Sequence, residues 1–126
     1  MVRILVSKFG DIRSEAVDSI FSTMEECYNR LEPHGLSLVD LYLFERSSAL
    51  EAFLSREHAK MGVTSSRFDE DFYAIHDAWR GIPRISVSVE RIKSLTELIR
   101  AGILRHEVGH SILHGSPQYY IFPIPH

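Results

Sequence analysis

The stretch from Ser94 to His114 constrains this chain most. Ser94-Leu95-Thr96-Glu97 reads as a capping box, in which Ser and Glu satisfy each other's free backbone amides at a helix start. Gly115 is the matching stop. Between them Leu95, Leu98, Ile99, Ile103, Leu104, Val108, Ile112 and Leu113 fall almost all round the helical wheel, which predicts a buried helix. Yet its last turns carry His106, Glu107 and His110, an H-E-x-x-H spacing. Polar groups on a buried helix need a chemical reason.

The spacing supplies one. Side chains at i and i+4 lie about 6 Å apart along a helix and about 40° apart in azimuth, so His106 and His110 can grip one metal ion. Glu107 stands about 100° round from His106, placed to take a proton from metal-activated water and return it to a leaving amine. Imidazole suits Zn2+, though ligand type alone does not choose zinc over other first-row ions. Gly109 removes a side chain next to His110, which predicts close approach of the sheet or another helix there.

The rest of the chain reads as scaffold. Val2–Ser7 is a short apolar strand bounded by Gly10-Asp11. From Asp11 or Ser14 to Leu31, Ile12, Ala16, Val17, Ile20, Phe21, Met24, Cys27, Tyr28 and Leu31 recur at helical spacing, and Pro33-His34-Gly35 ends the run. Leu36–Phe44 is apolar on both faces and predicts a central strand. Ser48-Ala49-Leu50-Glu51 is another capping box, opening a short helix to Lys60 that Met61-Gly62 closes. Val63–Glu70 reads as loop, Phe72–His76 as a strand, and 78–83 as a turn. Arg84–Ile92 alternates, with Ile85, Val87 and Val89 inward and Ser86, Ser88 and Glu90 facing solvent or a cleft. It pairs with 72–76 as a hairpin. The tail after Gly115 is aromatic and proline-rich, hence extended. The expected fold class is α+β: a small mixed sheet with the two main helices packed on one face.

Composition excludes other classes. The 126 residues make one domain's worth of chain, with 44% apolar and 25% charged residues. A formal charge of −3 without like-charge blocks argues against nucleic acid and against a basic membrane-binding face. No apolar run has the length of a transmembrane helix, and Val2–Ser7 is too short for a signal peptide. The lone Cys27 falls on the apolar spacing of the first helix, which predicts a buried thiol and fits a reducing compartment. The expectation is a cytoplasmic protein.

The HEVGH segment at 106–110, on a long helix behind a small mixed sheet, resembles the zincin superfamily of zinc metallopeptidases. The order of elements from Val2 to His114 resembles it too, although only the five-residue motif is specific. The resemblance implies Zn2+ on His106 and His110, Glu107 as general base, and a peptide or protein substrate laid along a sheet edge, for which Phe72–His76 is the candidate. It also implies a third protein ligand. Leu113 and Ser116 stand where the metzincin extension has Gly and His, and no Asp or Glu follows Glu107, so neither usual source is present. His114 is the nearest candidate, about 12 Å along the axis from His106. It can instead interact with the helix C-terminus. His126 needs the tail to fold back, Tyr119 and Tyr120 better suit a cleft wall or an oxyanion, and Glu57-His58 and His76-Asp77 read as surface pairs. A subdomain beyond residue 126, a neighbouring subunit or water are further sources. The expectation is a single zincin-like domain over 1–126 that hydrolyses peptide bonds. The alternatives are a catalytically inactive metal- or peptide-binding module and a purely structural domain.

Overall fold

The computed structural model describes residues 2–60, 73–79 and 81–113. The readings at Met61–Phe72, Arg80, His114, Gly115, Tyr119, Tyr120 and His126, and at the His58 side chain, lie outside the described residues. The chain forms β1 (Arg3–Phe9), α1 (Ser14–Arg30), β2 (Leu38–Phe44), α2 (Ser47–Lys60), β3 (Ala74–Trp79), β4 (Ile82–Ser88), α3 (Val89–Ile92) and α4 (Glu97–Leu113). The four strands make one mixed sheet in the order β1-β2-β4-β3. β1, β2 and β4 run parallel, and β3 turns back antiparallel to β4 through Gly81, whose φ of +81° suits a residue without a side chain. The mixed α+β class, the central position of β2 and the pairing of β3 with β4 follow the sequence reading, but the strands extend into the expected 78–83 turn, with Ala78 paired to Pro83 and Trp79 to Ile82.

Strand alternation divides the sheet between two cores. Val39, Leu41, Leu43, Ile85, Val87 and Ala74 face α1 and α4, meeting Ile20, Met24, Tyr28, Leu104 and Val108. Tyr42, Phe44 and Ile75 face the other way and pack with Leu50, Phe53 and Leu54 of α2. The two main helices, α1 and α4, share a face as expected, and the short helix α2 covers the opposite one.

α2 also buries the side of β4 that alternation assigned to solvent or a cleft. Arg84 is 3% exposed, and Ser86 and Ser88 are fully buried. Arg84 and Ser88 survive burial through partners on other elements, whereas the Ser86 hydroxyl has none among the described residues. Arg84 donates a fork of hydrogen bonds to Asp77, 2.6 Å on each arm, and a third to Glu57 at 3.0 Å. Its guanidinium lies 4.8 Å over the Phe53 ring and 5.4 Å over Tyr42. Ser88 shares a hydrogen bond with Ser47 of α2. The strand ends at Ser88 rather than Ile92, because Val89–Ile92 close a helical turn.

Both capping boxes shift. At the start of α2 the backbone N–H of Ser47 donates to Glu90 at 2.6 Å, which holds that carboxyl below the usual range, while Glu51 reaches Arg91. At the start of α4 the Thr96 hydroxyl accepts from the Ile99 amide, and Ser94 bonds back to the Arg91 carbonyl. α4 is not apolar-buried all round either. Leu98 and Leu113 are 78% and 75% exposed, and only Leu104, Glu107, Val108 and Ser111 are buried. Gly109 is not a close-approach point: a Cβ there would meet nothing within 4 Å. Cys27 is buried as expected.

Candidate metal centre

α4 is pinned to the scaffold beside the motif. The Tyr28 hydroxyl of α1 donates to Ser111 Oγ at 2.5 Å, since Ser111 spends its own proton on the Val108 carbonyl at 2.7 Å. Ser111 follows His110 directly, so this bond and the packing of Leu104 and Val108 fix the rotation of the helix about its axis. That rotation turns Glu107 inward and leaves His106 exposed and His110 half-buried.

The two motif histidines converge. His106 Nε2 and His110 Nε2 stand 3.0 Å apart with their ring planes nearly perpendicular. Two nitrogens sharing one tetrahedral zinc at 2.0–2.1 Å sit about 3.3–3.4 Å apart. The pair needs to open by only about 0.3–0.4 Å to hold an ion. The donor set and its separation fit a borderline divalent metal.

Glu107 is 4% exposed and does not point to solvent. Burial pushes its carboxyl up to about 8, against the backbone N–H of His76, which donates toward it and favours the charged form. Oε1 has no hydrogen-bond partner among the described residues. A half-satisfied buried carboxylate is costly, and a nearby cation would relieve it.

The geometry of β3 explains why His76 meets Glu107. Ser88 N–H donates to Tyr73 O, so Tyr73, Ile75, Asp77 and Trp79 spend their backbone groups on β4. Ala74, His76 and Ala78 turn theirs to the outer edge of the sheet, with which no described strand pairs. The Glu107 carboxylate occupies the His76 position on that edge.

His76 and Asp77 are therefore not a surface pair. They are 4% and 1% exposed, and Glu57, also read as surface, is 9% exposed beneath Arg84. The His76 ring lies on the α4 side of the sheet, parallel to the His110 ring with centroids 6.3 Å apart. Sequence reasoning set this residue aside as half of a surface pair. The signal was available in A-I-H-D-A, where alternation puts the histidine on the same face as Ala74 and Ala78. The structure thus brings together His106, His110, Glu107 and His76. Among the described residues, no three His, Cys, Asp or Glu side chains already stand at metal-holding separations. A cavity of about 40 Å³ lies elsewhere, between α1, α3 and the first turns of α4.

No family model, curated protein or solved structure matches the chain. No helix among the described residues is long and apolar enough to cross a membrane.

Proposed function

We propose that this protein is a zinc-dependent metallopeptidase with a zincin-like upper subdomain. The observation that carries the reading is the pair of Nε2 atoms 3.0 Å apart on one face of α4, next to a buried, half-satisfied glutamate. His106 and His110 would hold the ion, and Glu107 is the base. When bound, a divalent ion polarises the scissile carbonyl and acidifies water. Glu107 sits in a low-dielectric niche that keeps its proton affinity near neutrality, the range in which a carboxylate can both take and return a proton. The backbone groups of Ala74 and Ala78 turn to an edge of β3 that pairs with no described strand, but both residues are buried, so the extended-peptide part of the reading rests on the resemblance and not on an open edge. The substrate is accordingly a peptide or protein segment in extended form, and a cytoplasmic location is part of the same reading.

The test is metal analysis of the purified, zinc-loaded protein, followed by cleavage of a peptide library. The expected result is about one equivalent of zinc, and cleavage that falls about 10²–10⁴-fold in Glu107→Ala, the usual contribution of a general base. Cleavage that persists in Glu107→Ala rejects the assignment. Zinc bound without any cleavage favours the alternative of a catalytically inactive metal- or peptide-binding module. Substoichiometric zinc, below about half an equivalent, rejects both.

A further inference from the structure

We infer that His76, from the edge strand, is the third protein ligand of the metal held by His106 and His110. The inference rests on the metal-centre reading above and extends it to a residue outside the motif.

His76 faces Ile85 across the hairpin, and Ile85 belongs to the core that Leu104 and Val108 of α4 complete. Residues directly opposite on paired strands point to the same face, so the imidazole enters the layer between sheet and α4. There it runs parallel to the His110 ring, with centroids 6.3 Å apart. An imidazole centroid lies about 3.2 Å from an ion that the ring ligates, so two rings sharing a tetrahedral zinc have centroids about 5.2 Å apart. Closing the difference asks for a movement of about 1 Å, together with a turn of the His76 ring out of its parallel alignment, because rings that share an ion both hold it in their planes. Rotation about the side-chain bonds of His76 can supply both.

Two further features favour this residue. Its backbone N–H already engages Glu107, so a metal drawn onto His76 is held beside the carboxylate that would act with it. Asp77, the next residue, is locked to Arg84 by a two-armed hydrogen bond that fixes the height of His76 along the strand. The arrangement also accounts for an imidazole that is 4% exposed in a layer otherwise built from Ile85, Val87, Leu104 and Val108. A neutral imidazole is the form that a metal takes.

The test compares wild-type protein with His76→Phe, which keeps a ring but has no donor nitrogen, and with His76→Asp, which supplies a carboxylate donor. His114→Ala serves as the rival. Zinc affinity is measured by chelator competition, and the cobalt-substituted proteins are compared by their visible d–d absorption. Circular dichroism checks that each variant is folded. The expected result is zinc affinity more than about 100-fold weaker in His76→Phe, beyond the 10–100-fold typical of losing an outer-shell partner. The cobalt spectrum should change in the same variant and partly recover in His76→Asp. If His76→Phe does not fold, the His76→Asp spectrum decides: a cobalt band identical to wild type overturns the inference. A folded His76→Phe with unchanged affinity or an unchanged cobalt spectrum also overturns it. So does loss of zinc in His114→Ala alone. In each of these cases wild-type protein still binds metal and the functional reading stands. Wild-type protein that binds no metal overturns both.

Discussion

Replacing Arg84 with methionine tests the polar layer between β4 and α2. Arg84 is 3% exposed and donates to Asp77 on two arms of 2.6 Å and to Glu57 at 3.0 Å. Burial alone would push its guanidinium down, but the Asp77 and Glu57 bonds outweigh that and hold it above its ordinary value. Arg84→Met keeps an apolar side chain at this position while removing the cation that lies over Phe53 and Tyr42 and that two buried carboxylates face. Breaking a buried ion pair from one side costs about 3–5 kcal/mol. The lost cation–π contact adds about 0.5–2 kcal/mol, which the thioether's own contact with the rings partly offsets. The net expectation is a loss of about 3–5 kcal/mol, a large share of the roughly 5–15 kcal/mol that holds a domain of this size together. Urea denaturation followed by circular dichroism measures it, with the midpoint falling and the slope unchanged. A triple variant with Asp77→Leu and Glu57→Met as well should be more stable than Arg84→Met alone, because no stripped charge then remains. A loss below about 1 kcal/mol in Arg84→Met, or a triple variant less stable than the single, would refute the reasoning.

Other expectations concern the two ends of the α1–α4 scaffold and the base. Burial pushes the Tyr28 phenol up to about 12. The stability this reflects is fully present below pH 10 and is lost between pH 10 and 12. About 3 kcal/mol should disappear across that window in wild-type protein but not in Tyr28→Phe, as read by denaturation at stepped pH. Gly10 has φ +108°, and a Cβ there would stand 2.7 Å from Glu45 Cβ and Oε1, so Gly10→Ala should lower stability by about 1–3 kcal/mol in thermal unfolding. Glu107→Gln should retain zinc at near wild-type affinity while losing peptide cleavage; a parallel loss of zinc would place Glu107 among the ligands instead of beside them.

The parts of this molecule that were legible in the sequence are those governed by local periodicity. Ile20, Met24, Cys27 and Tyr28 repeat at helical spacing, and they are the residues α1 buries. Leu38–Phe44 lacks a consistently polar face, and β2 sits between two partners. The convergence of His106 and His110 follows from a four-residue interval and nothing more. What was not legible depends on partners far along the chain. Arg84, Ser86 and Ser88 look like a solvent face until α2 brings Glu57 and Ser47 over them. The start of α2 looks locally capped, but the acceptor is Glu90, 43 residues away. The exposed Leu98 and Leu113 show the converse, since an apolar residue carries no instruction about which side the neighbouring elements will cover. His76 belongs to the same class. Its face was readable from alternation, but its meeting with His110 required the hairpin and α4 to be docked.

The hairpin has a consequence for how such a centre assembles. His76, His106, Glu107 and His110 all lie between residues 74 and 113, whereas the parallel contacts of β1 with β2 and of β2 with β4 join segments about 35 and 44 positions apart. Loop closure is cheaper for the tight β3–β4 turn than for either parallel crossover. The β3–β4 hairpin can therefore take shape as a local unit, whose rigidity is then set by its longer-range contacts with β2 and α4. In native-state hydrogen exchange, the β3 amides on the outer edge should open independently of the β2 core. Metal should slow exchange at His76 while leaving Leu41 and Leu43 unchanged.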